Sequence, residues 1–161
     1  MAKHRIPGLG KSSGVVGGDY HLDDGEYVLE AISCKMEYKP KDGRKPGEEN
    51  CPFQYIISTN IIAGPAQEDG ADPAGRRWTI FSYVDPDSEW TQLMVDKQKN
   101  LLNAFGVSVR ADSFNEADFE GARGVMDIIN KMQKKGPKEG DMATEVKKFL
   151  AVADSEYSDL V

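Results

Sequence analysis

The sequence has few of the side chains that most often carry catalysis. It contains two histidines, His4 and His21, and two cysteines, Cys34 and Cys51. Both histidines lie in a Gly/Ser-rich stretch, and no serine or cysteine has the sequence context of an activated nucleophile. These four residues also lack the paired C-x-x-C spacing of a zinc site. We therefore expect no enzymatic activity, no catalytic or metal-binding residues and no cofactor, although an acidic site scattered along the chain would leave no pattern.

Long apolar runs are missing as well. No stretch approaches the roughly 20 apolar residues that cross a bilayer, and residues 1–18 lack the apolar centre of a secretory signal. Free buried thiols and a Cys34–Cys51 disulfide are both compatible with the sequence, and we favour the thiols. We expect a cytoplasmic protein with no membrane partner.

An excess of positive charge is also absent, because 27 acidic and 20 basic residues leave a formal net charge of −7. This argues against a protein whose whole surface binds nucleic acid. The charge is uneven, however: residues 39–45 hold four bases and one acid, whereas residues 111–161 hold 11 acids and 7 bases. An acidic average with local basic loops is compatible with a groove-type binder that carries an acidic tail.

One stretch, residues 85–106, repeats its apolar residues with a helical period. The stripe consists of Trp90, Leu93, Met94, Leu101, Ala104 and Phe105. We predict a helix over residues 88–105, capped by Asp85 or Asp87 and ended by Gly106 in a left-handed conformation. A lone amphipathic helix must bury its stripe, and the other regular segments indicate strands. The helix is therefore expected to pack on a sheet.

The strand candidates alternate apolar and polar residues or are rich in β-branched and aromatic residues. They predict four strands: Gly25–Tyr38, Phe53–Ile62, Arg76–Val84 and Arg123–Gln133. In the first strand one face is predicted to carry Val28, Ile32, Cys34 and Met36, and the other Tyr27, Leu29 and Ala31. Residues 144–152 fit a helix or a strand equally well. We favour a strand, because the fourth strand leaves a hairpin loop and needs a partner.

Three strands, a helix and two further strands follow the element order of the oligonucleotide/oligosaccharide-binding (OB) fold, a five-stranded, partly open Greek-key barrel. We predict a mainly β domain of this kind over residues 25–152, with the helix between the third and fourth strands. A roll or a small sandwich with one helix also fits the order. Residues 1–24 are predicted to form a flexible basic arm and residues 153–161 an acidic tail.

Short motifs at three places add a family resemblance. They are a G-x-Y opening the first strand, an L-x-A-x-G ending the helix and a G-x-x-x-V leading into the fourth strand. The residues at these positions are Gly25 and Tyr27, then Leu102, Ala104 and Gly106, then Gly121 and Val125. Over residues 25–151 the chain resembles a phage-encoded family of small proteins similar to single-stranded DNA-binding proteins, found beside recombination and replication genes. The resemblance implies the barrel fold, single-stranded DNA binding without catalysis, and the cytoplasm of the host cell.

Binding of single strands without base readout needs a positive groove for phosphates and flat rings on which bases stack. The predicted rings are Tyr55, Trp78, Phe81 and Tyr83. The predicted charges are Lys39, Lys41, Arg44, Lys45, Arg76, Arg77, Lys134 and Lys135. The third strand can expose only one of its faces, so either Trp78 or the pair Phe81 and Tyr83 points outward.

The end of the chain suggests a second kind of contact. Its acidic and apolar residues are Asp154, Glu156, Asp159, Leu160 and Val161. Bacterial single-strand-binding proteins carry tails of similar kind that dock replication partners, so these residues are predicted either to dock replication or recombination proteins or simply to keep the chain soluble. An alternative function is a non-enzymatic protein-interaction or virion-structural module built on the same barrel. Oligomerisation is compatible with both.

Overall fold

The computed structural model describes residues 21–132 and 140–160, which are mainly β with one α-helix, as predicted. The strands are β1 (Gly25–Tyr38), β2 (Phe53–Ala63), β3 (Arg77–Val84), β4 (Val109–Arg110), β5 (Ser113–Phe114), β6 (Arg123–Met132) and β7 (Met142–Leu150). The helix α1 spans Thr91–Ala104, and short 3-10 turns cover Glu116–Phe119, Val152–Asp154 and Ser158–Leu160. The ambiguous segment after the last loop is a strand, β7, and β1 has the predicted bounds. No helix in the described ranges has the length and apolar composition needed to span a bilayer.

The long strands form one antiparallel sheet in the order β3-β2-β1-β6-β7. The first four long strands in the chain, β1, β2, β3 and β6, thus follow the Greek-key order 4-1-2-3. No ladder joins the edge strands β3 and β7 within the described residues, and α1 contacts both of them. The predicted five-stranded barrel is therefore confirmed only as an open five-stranded antiparallel sheet. Its two edges both pack on the helix.

A bulge in β1 changes the predicted alternation. The pairing with β2 shifts between Ala31 and Ser33, so Ile32 has no partner and the following residues change face. Cys34 therefore lies in the main core with Leu29 and Ala31. The prediction that Cys34 faces away from Leu29 is wrong, because a register shift of one residue reverses every later side chain.

The helix covers the sheet with only part of its apolar stripe. Leu101, Ala104 and Phe105 are buried in the main core, as predicted. At the amino-terminal end, Trp90, the residue just before the helix, is 61% exposed and Leu93 is 49% exposed. The apolar stripe is thus longer than the part of the sheet on which the helix packs, and its amino-terminal end remains exposed.

The ends of α1 agree with the prediction at one terminus. Gly106 has φ +69°, the left-handed conformation expected after the helix. At the other end the helix begins at Thr91, and no side chain caps it. The predicted cap by Asp85 or Asp87 is wrong, because Asp85 instead accepts hydrogen bonds from Arg44 and from the Asp87 amide.

The packed region begins earlier than residue 25. Leu22 is fully buried in the main core. The Asn130 side-chain amide donates to the Leu22 carbonyl at 2.9 Å and to the Asp24 carboxylate at 2.8 Å. Residues 21–24 therefore belong to the domain and not to the predicted arm.

A second, smaller cluster lies on the opposite face of β1. It buries Val28, Val125 and Val152, with Leu150 and Tyr157 packed against them. Because Tyr157 comes from the predicted acidic tail, part of that tail lies on the sheet. The main core and this cluster explain why β1 carries apolar residues on both faces.

Candidate nucleic-acid interface

The alternation of β3 decides which predicted rings can meet a ligand. Trp78 is half-buried and packs on the main core, and Ile80 is buried. Phe81 is 63% and Tyr83 37% exposed, on the opposite face. Of the two arrangements that the sequence allowed, the structure has Phe81 and Tyr83 outward.

The residues around these rings follow from the strand register. Phe81 pairs with Ile56 of β2, which pairs with Lys35 of β1. The next row along the strands contains Tyr83, Gln54 and Glu37, and the row on the other side contains Thr79, Ser58 and Ser33. Side chains paired in this way share a face, with Cβ atoms about 4.5–5.5 Å apart. We call these three rows the outer face.

The outer face ends in a charged row. It contains Arg77, Asn60, Glu30 and Arg123. Arg123 Nε lies 3.0 Å from the Glu30 carboxylate, so its charge is matched. Arg77 is exposed and makes no ion pair with a described residue, whereas Arg76 is half-buried. Arg77 is thus the arginine best placed to meet a phosphate at this end.

Tyr55, the remaining predicted ring, lies on the core side of the sheet with Trp78. Its ring centroid is 5.7 Å from that of Phe53 and 5.0 Å from that of Phe114, both with edge-on geometry. Burial raises the pKa of Tyr55. Its ring is enclosed by other aromatic side chains, so we do not include it in the outer face.

Arg44, one of the predicted phosphate contacts, makes several hydrogen bonds within the protein. Its side chain is only 12% exposed, and Nη1 donates to Asp85 Oδ1 at 2.6 Å while Nη2 donates to Oδ2 at 3.3 Å. Further donations reach the Asn50 carbonyl at 3.2 Å and the Lys41 carbonyl at 3.1 Å. The hydrogen bond from Arg44 holds the pKa of Asp85 below its ordinary value. Arg44 therefore fastens the loop 39–52 to the segment that follows β3.

The other predicted cations are placed unevenly. Lys39 Nζ lies 3.1 Å from the Glu37 carboxylate. Lys41 and Lys45 are exposed and form no ion pair within the described part of the chain. Lys134 and Lys135 lie outside the described residues. Lys35, which the sequence interpretation did not include, stands beside Ile56 on the outer face and is exposed. The bulge at Ile32 places it there, and alternation alone gave no signal for it.

The predicted docking tail is partly folded. Asp154, Glu156 and Asp159 are exposed, and Leu160 is 37% exposed. The Glu156 amide donates to the Glu26 carboxylate at 3.1 Å. Val161 lies outside the described residues. The apolar character of Tyr157 within an acidic segment was the available signal that this segment packs.

A further concave site lies beside the β4–β5 hairpin. It is an open cleft of about 770 Å³ lined by Ser108, Arg110, Ser113, Phe114, Asn115, Glu116 and Asp118. The lining carries charges of both signs. Its one aromatic residue, Phe114, is half-buried. Among the described residues no group of three His, Cys, Asp or Glu side chains could hold a metal ion. This cavity offers less for an extended anionic ligand than the outer face does.

The chain matches no protein-family model and no curated protein. The resemblance to phage single-strand-binding proteins therefore stays an expectation. The function proposed below is based on the geometry of the outer face.

Proposed function

We propose that this protein is a non-enzymatic binder of single-stranded DNA, and that the outer face is its binding surface. The observation that carries the proposal is the pair Phe81 and Tyr83, exposed on the same face of β3 two residues apart. Two exposed rings on one strand form a local apolar patch beside polar neighbours, and bases stack on such rings regardless of sequence. Stacking of this kind contributes roughly 1–3 kcal/mol per base.

The topology supports an OB-type reading of the sheet. The Greek-key order, the fifth strand paired beside β6 and the helix between the third and fourth long strands are the features expected of that fold. OB folds bind oligonucleotides with the face of strands two and three and the neighbouring loops. The same region here is the outer face and the loop 39–52. On this proposal the open sheet, whose two edge strands both contact α1, is a variant of that fold in which the barrel is not closed.

The cations near the outer face would hold the phosphates. Lys35 lies on the outer face, Arg77 lies in the charged row that borders it, and Lys41 and Lys45 lie on the loop that follows β1. Rings and cations without base-edge contacts give binding that is not sequence-specific. The resemblance noted above would place this activity in phage replication or recombination, in the host cytoplasm, with the acidic tail contacting partner proteins.

Fluorescence anisotropy with labelled oligo-dT at several salt concentrations tests the proposal. Phe81→Ala and Tyr83→Ala are each expected to weaken binding by roughly 1–3 kcal/mol without changing the salt dependence. Thr79→Ala is the matched control, because it alters the same face without removing a ring. Replacing Lys41 and Lys45 with Ala should lower the log–log salt slope by about 0.7 for each lost phosphate contact. If folded Phe81→Ala and Tyr83→Ala proteins bind as tightly as the wild type, the outer face is not the binding surface.

A protein-interaction or virion-structural module is the second candidate. The observation that favours it is the exposed amino-terminal half of the α1 stripe, together with the net charge of −7. Such a module would show no salt-dependent oligonucleotide binding. The anisotropy titration thus separates the two functions.

A further inference from the structure

The amino-terminal half of α1 presents an apolar stripe that nothing in the described chain covers. Leu93 and Lys97 lie four residues apart on one side of α1, and Trp90, the residue immediately before the helix, precedes Leu93 by three residues. Trp90 is 61% and Leu93 49% exposed, and Lys97 is exposed beside them. We call these three residues the overhang stripe.

The overhang stripe is held in a fixed orientation. On the neighbouring side of α1, Gln98 accepts a hydrogen bond from the Ser82 hydroxyl at 2.6 Å, and the Met94 sulfur lies 3.3 Å from the Asp85 amide nitrogen. Both contacts tie the helix to the end of β3. In the carboxyl-terminal half, Leu101 and Ala104 continue the same stripe into the core. The contacts with β3 therefore fix the direction in which the overhang stripe points.

The stripe is complementary to itself when two copies of the helix run antiparallel. About a two-fold axis between Leu93 and Met94, Lys97 of one helix lies opposite Trp90 of the other, because both are 3.5 residues from the axis. An ammonium over an indole face is attracted by the ring quadrupole. Glu89 is exposed in the turn just before Trp90, so in this arrangement its carboxylate would lie near the same lysine. A parallel arrangement would instead bring like charges together.

We propose that the overhang stripe is a self-association surface, and that its partner is a second copy of this chain bound through antiparallel α1 helices. Each Trp90–Lys97 contact occurs twice, as a two-fold interface requires. The two Leu93 side chains meet at the centre. The pairing covers about two helical turns, roughly 10 Å of helix. An interface of this size is small, so the dimer is expected to be weak, with a dissociation constant on the order of micromolar or higher.

Sedimentation equilibrium of the full-length protein over a wide concentration range tests this. Leu93→Glu is expected to raise the dimer dissociation constant at least tenfold. Val95→Glu is the matched control, because Val95 is 46% exposed on the same helix and lies about 200° around the axis from Leu93. It should leave the dissociation constant within about threefold of the wild type.

A charge exchange tests the antiparallel register. Lys97→Glu should weaken the dimer at least fivefold, since it removes the cation and opposes Glu89. The combined Glu89→Lys and Lys97→Glu variant should recover part of that loss, because the opposite charges face each other again although no cation lies over Trp90. Circular dichroism confirms that each variant is folded. Without the recovery, the antiparallel register is overturned.

Cysteine cross-linking gives a second readout that does not depend on affinity. The native thiols of Cys34 and Cys51 are 8% and 1% exposed, so an introduced cysteine on α1 reacts selectively. Mild oxidation should join Leu93→Cys chains into dimers much faster than Val95→Cys chains. A protein that stays monomeric at every concentration, or equal cross-linking at the two positions, would overturn the proposal.

Discussion

The contact between Arg44 and Asp85 joins two segments that are 41 residues apart in the chain. Arg44 reaches the carboxylate with both terminal nitrogens, and Asp85 is 6% exposed. A paired arrangement of this kind is geometrically specific because guanidinium and carboxylate present matching forks. Removal of one partner leaves a poorly hydrated charge, so we expect this pair to matter more than an exposed one.

Asp85→Asn should lower the melting temperature at neutral pH, and the difference from the wild type should shrink as the solution is acidified. The pKa of Asp85 is lowered in the folded protein by the hydrogen bond from Arg44. The folded state therefore binds fewer protons than the unfolded state, in which an aspartate has a pKa of about 3.9. The stabilisation is present above that value and is lost as the pH falls through the folded-state pKa.

Melting curves of both proteins between pH 7 and pH 2 provide the measurement. Asp87→Asn serves as the control, since Asp87 is 55% exposed and lies 3.5 Å from Arg44. It should change the melting temperature far less at every pH. A difference between Asp85→Asn and wild type that stays constant down to pH 2 would contradict the assignment of Asp85 as the titrating partner.

Gly64 lies against the ring of a fully buried tyrosine, Tyr27. A Cβ atom at this position would overlap the ring of Tyr27, which is fully buried. The Tyr27 hydroxyl donates to the Asp23 carbonyl at 2.7 Å and accepts from Gln67 at 2.9 Å, so the ring cannot move aside without breaking hydrogen bonds. The segment after β2 is thus a close-fitting cover for Tyr27.

Gly64→Ala should reduce the free energy of unfolding by roughly 1–3 kcal/mol, as overpacking of a filled core does. Ala66→Ser, at an exposed position in the same loop, should stay within about 0.5 kcal/mol of the wild type. Urea denaturation followed by circular dichroism measures both. If Gly64→Ala is as stable as Ala66→Ser, the loop is looser than its contacts with Tyr27 indicate.

At the scale of elements, α1 behaves as two halves with different environments. Leu101 is 2% exposed and belongs to the main core, whereas Leu93 is 49% exposed on the same helix. The two residues have the same chemistry and the same secondary structure. Their comparison therefore isolates the effect of burial.

Leu101→Ala is expected to cost roughly 2–5 kcal/mol of unfolding free energy, because it leaves a cavity among packed side chains. Leu93→Ala should cost no more than about 0.5 kcal/mol in the monomer, the usual range for surface positions. Denaturation at a protein concentration low enough to keep the chain monomeric measures both. Similar losses for the two variants would show that the amino-terminal half of the helix is also covered.

The third long strand, β3, presents the two exposed rings on which the proposed function rests. Its even-numbered residues Trp78 and Ile80 pack inward, and its odd-numbered residues Phe81 and Tyr83 face outward. A strand that exposes two rings beside polar neighbours forms a flat surface suited to bases, whereas loops would place the same rings less firmly. The inward Trp78 contributes to stability and not to the outer face.

For the whole molecule, the carboxyl-terminal segment combines packing and charge. Tyr157 packs on the cluster of Val28, Val125 and Val152, while Glu156 and Asp159 stay exposed. Deletion of residues 155–161 should lower the melting temperature because it uncovers that cluster. It should also tighten oligo-dT binding at low salt, since the removed carboxylates repel phosphates.

The double variant Glu156→Gln and Asp159→Asn separates the two effects. It removes the charges and keeps Tyr157, so it should tighten low-salt binding to a similar degree with little change in melting temperature. At high salt the binding gain should disappear, because exposed charges are screened beyond about 8–10 Å near physiological ionic strength. A deletion that leaves the melting temperature unchanged would show that Tyr157 contributes nothing to stability.

The candidate site could be predicted only in part. The sequence did not determine which face of β3 is exposed, because Trp78 on one face and Phe81 and Tyr83 on the other both fit an alternating pattern. Arg44 was predicted to contact phosphate together with the neighbouring lysines of its loop. Its partner Asp85 is 41 residues away in the chain, so the local sequence does not reveal the pair. Lys35 reached the outer face only through the bulge at Ile32. Each of these outcomes depends on pairing across strands, which local periodicity does not contain.

The sequence by itself determined the kinds and the order of the long strands and the helix, but it did not predict the short hairpin of β4 and β5. Alternation over 25–38 and helical periodicity around 90–105 are local properties, and each is enough to specify a strand or a helix once one face is buried. The left-handed turn at Gly106 is equally local, since glycine adopts that conformation without steric cost. The order of strands and helix then restricted the topology to a few arrangements.

Only the tertiary structure decided which surfaces remain exposed. Whether the sheet closes, where β1 bulges, which half of α1 is covered and how much of the tail packs all depend on the shape of distant partners. Leu93 and Leu101 have the same side chain and lie in the same helix, yet only Leu101 finds a core to enter. Burial is a property of the assembled surfaces, and the exposed ones, the outer face and the overhang stripe, carry the proposed functions.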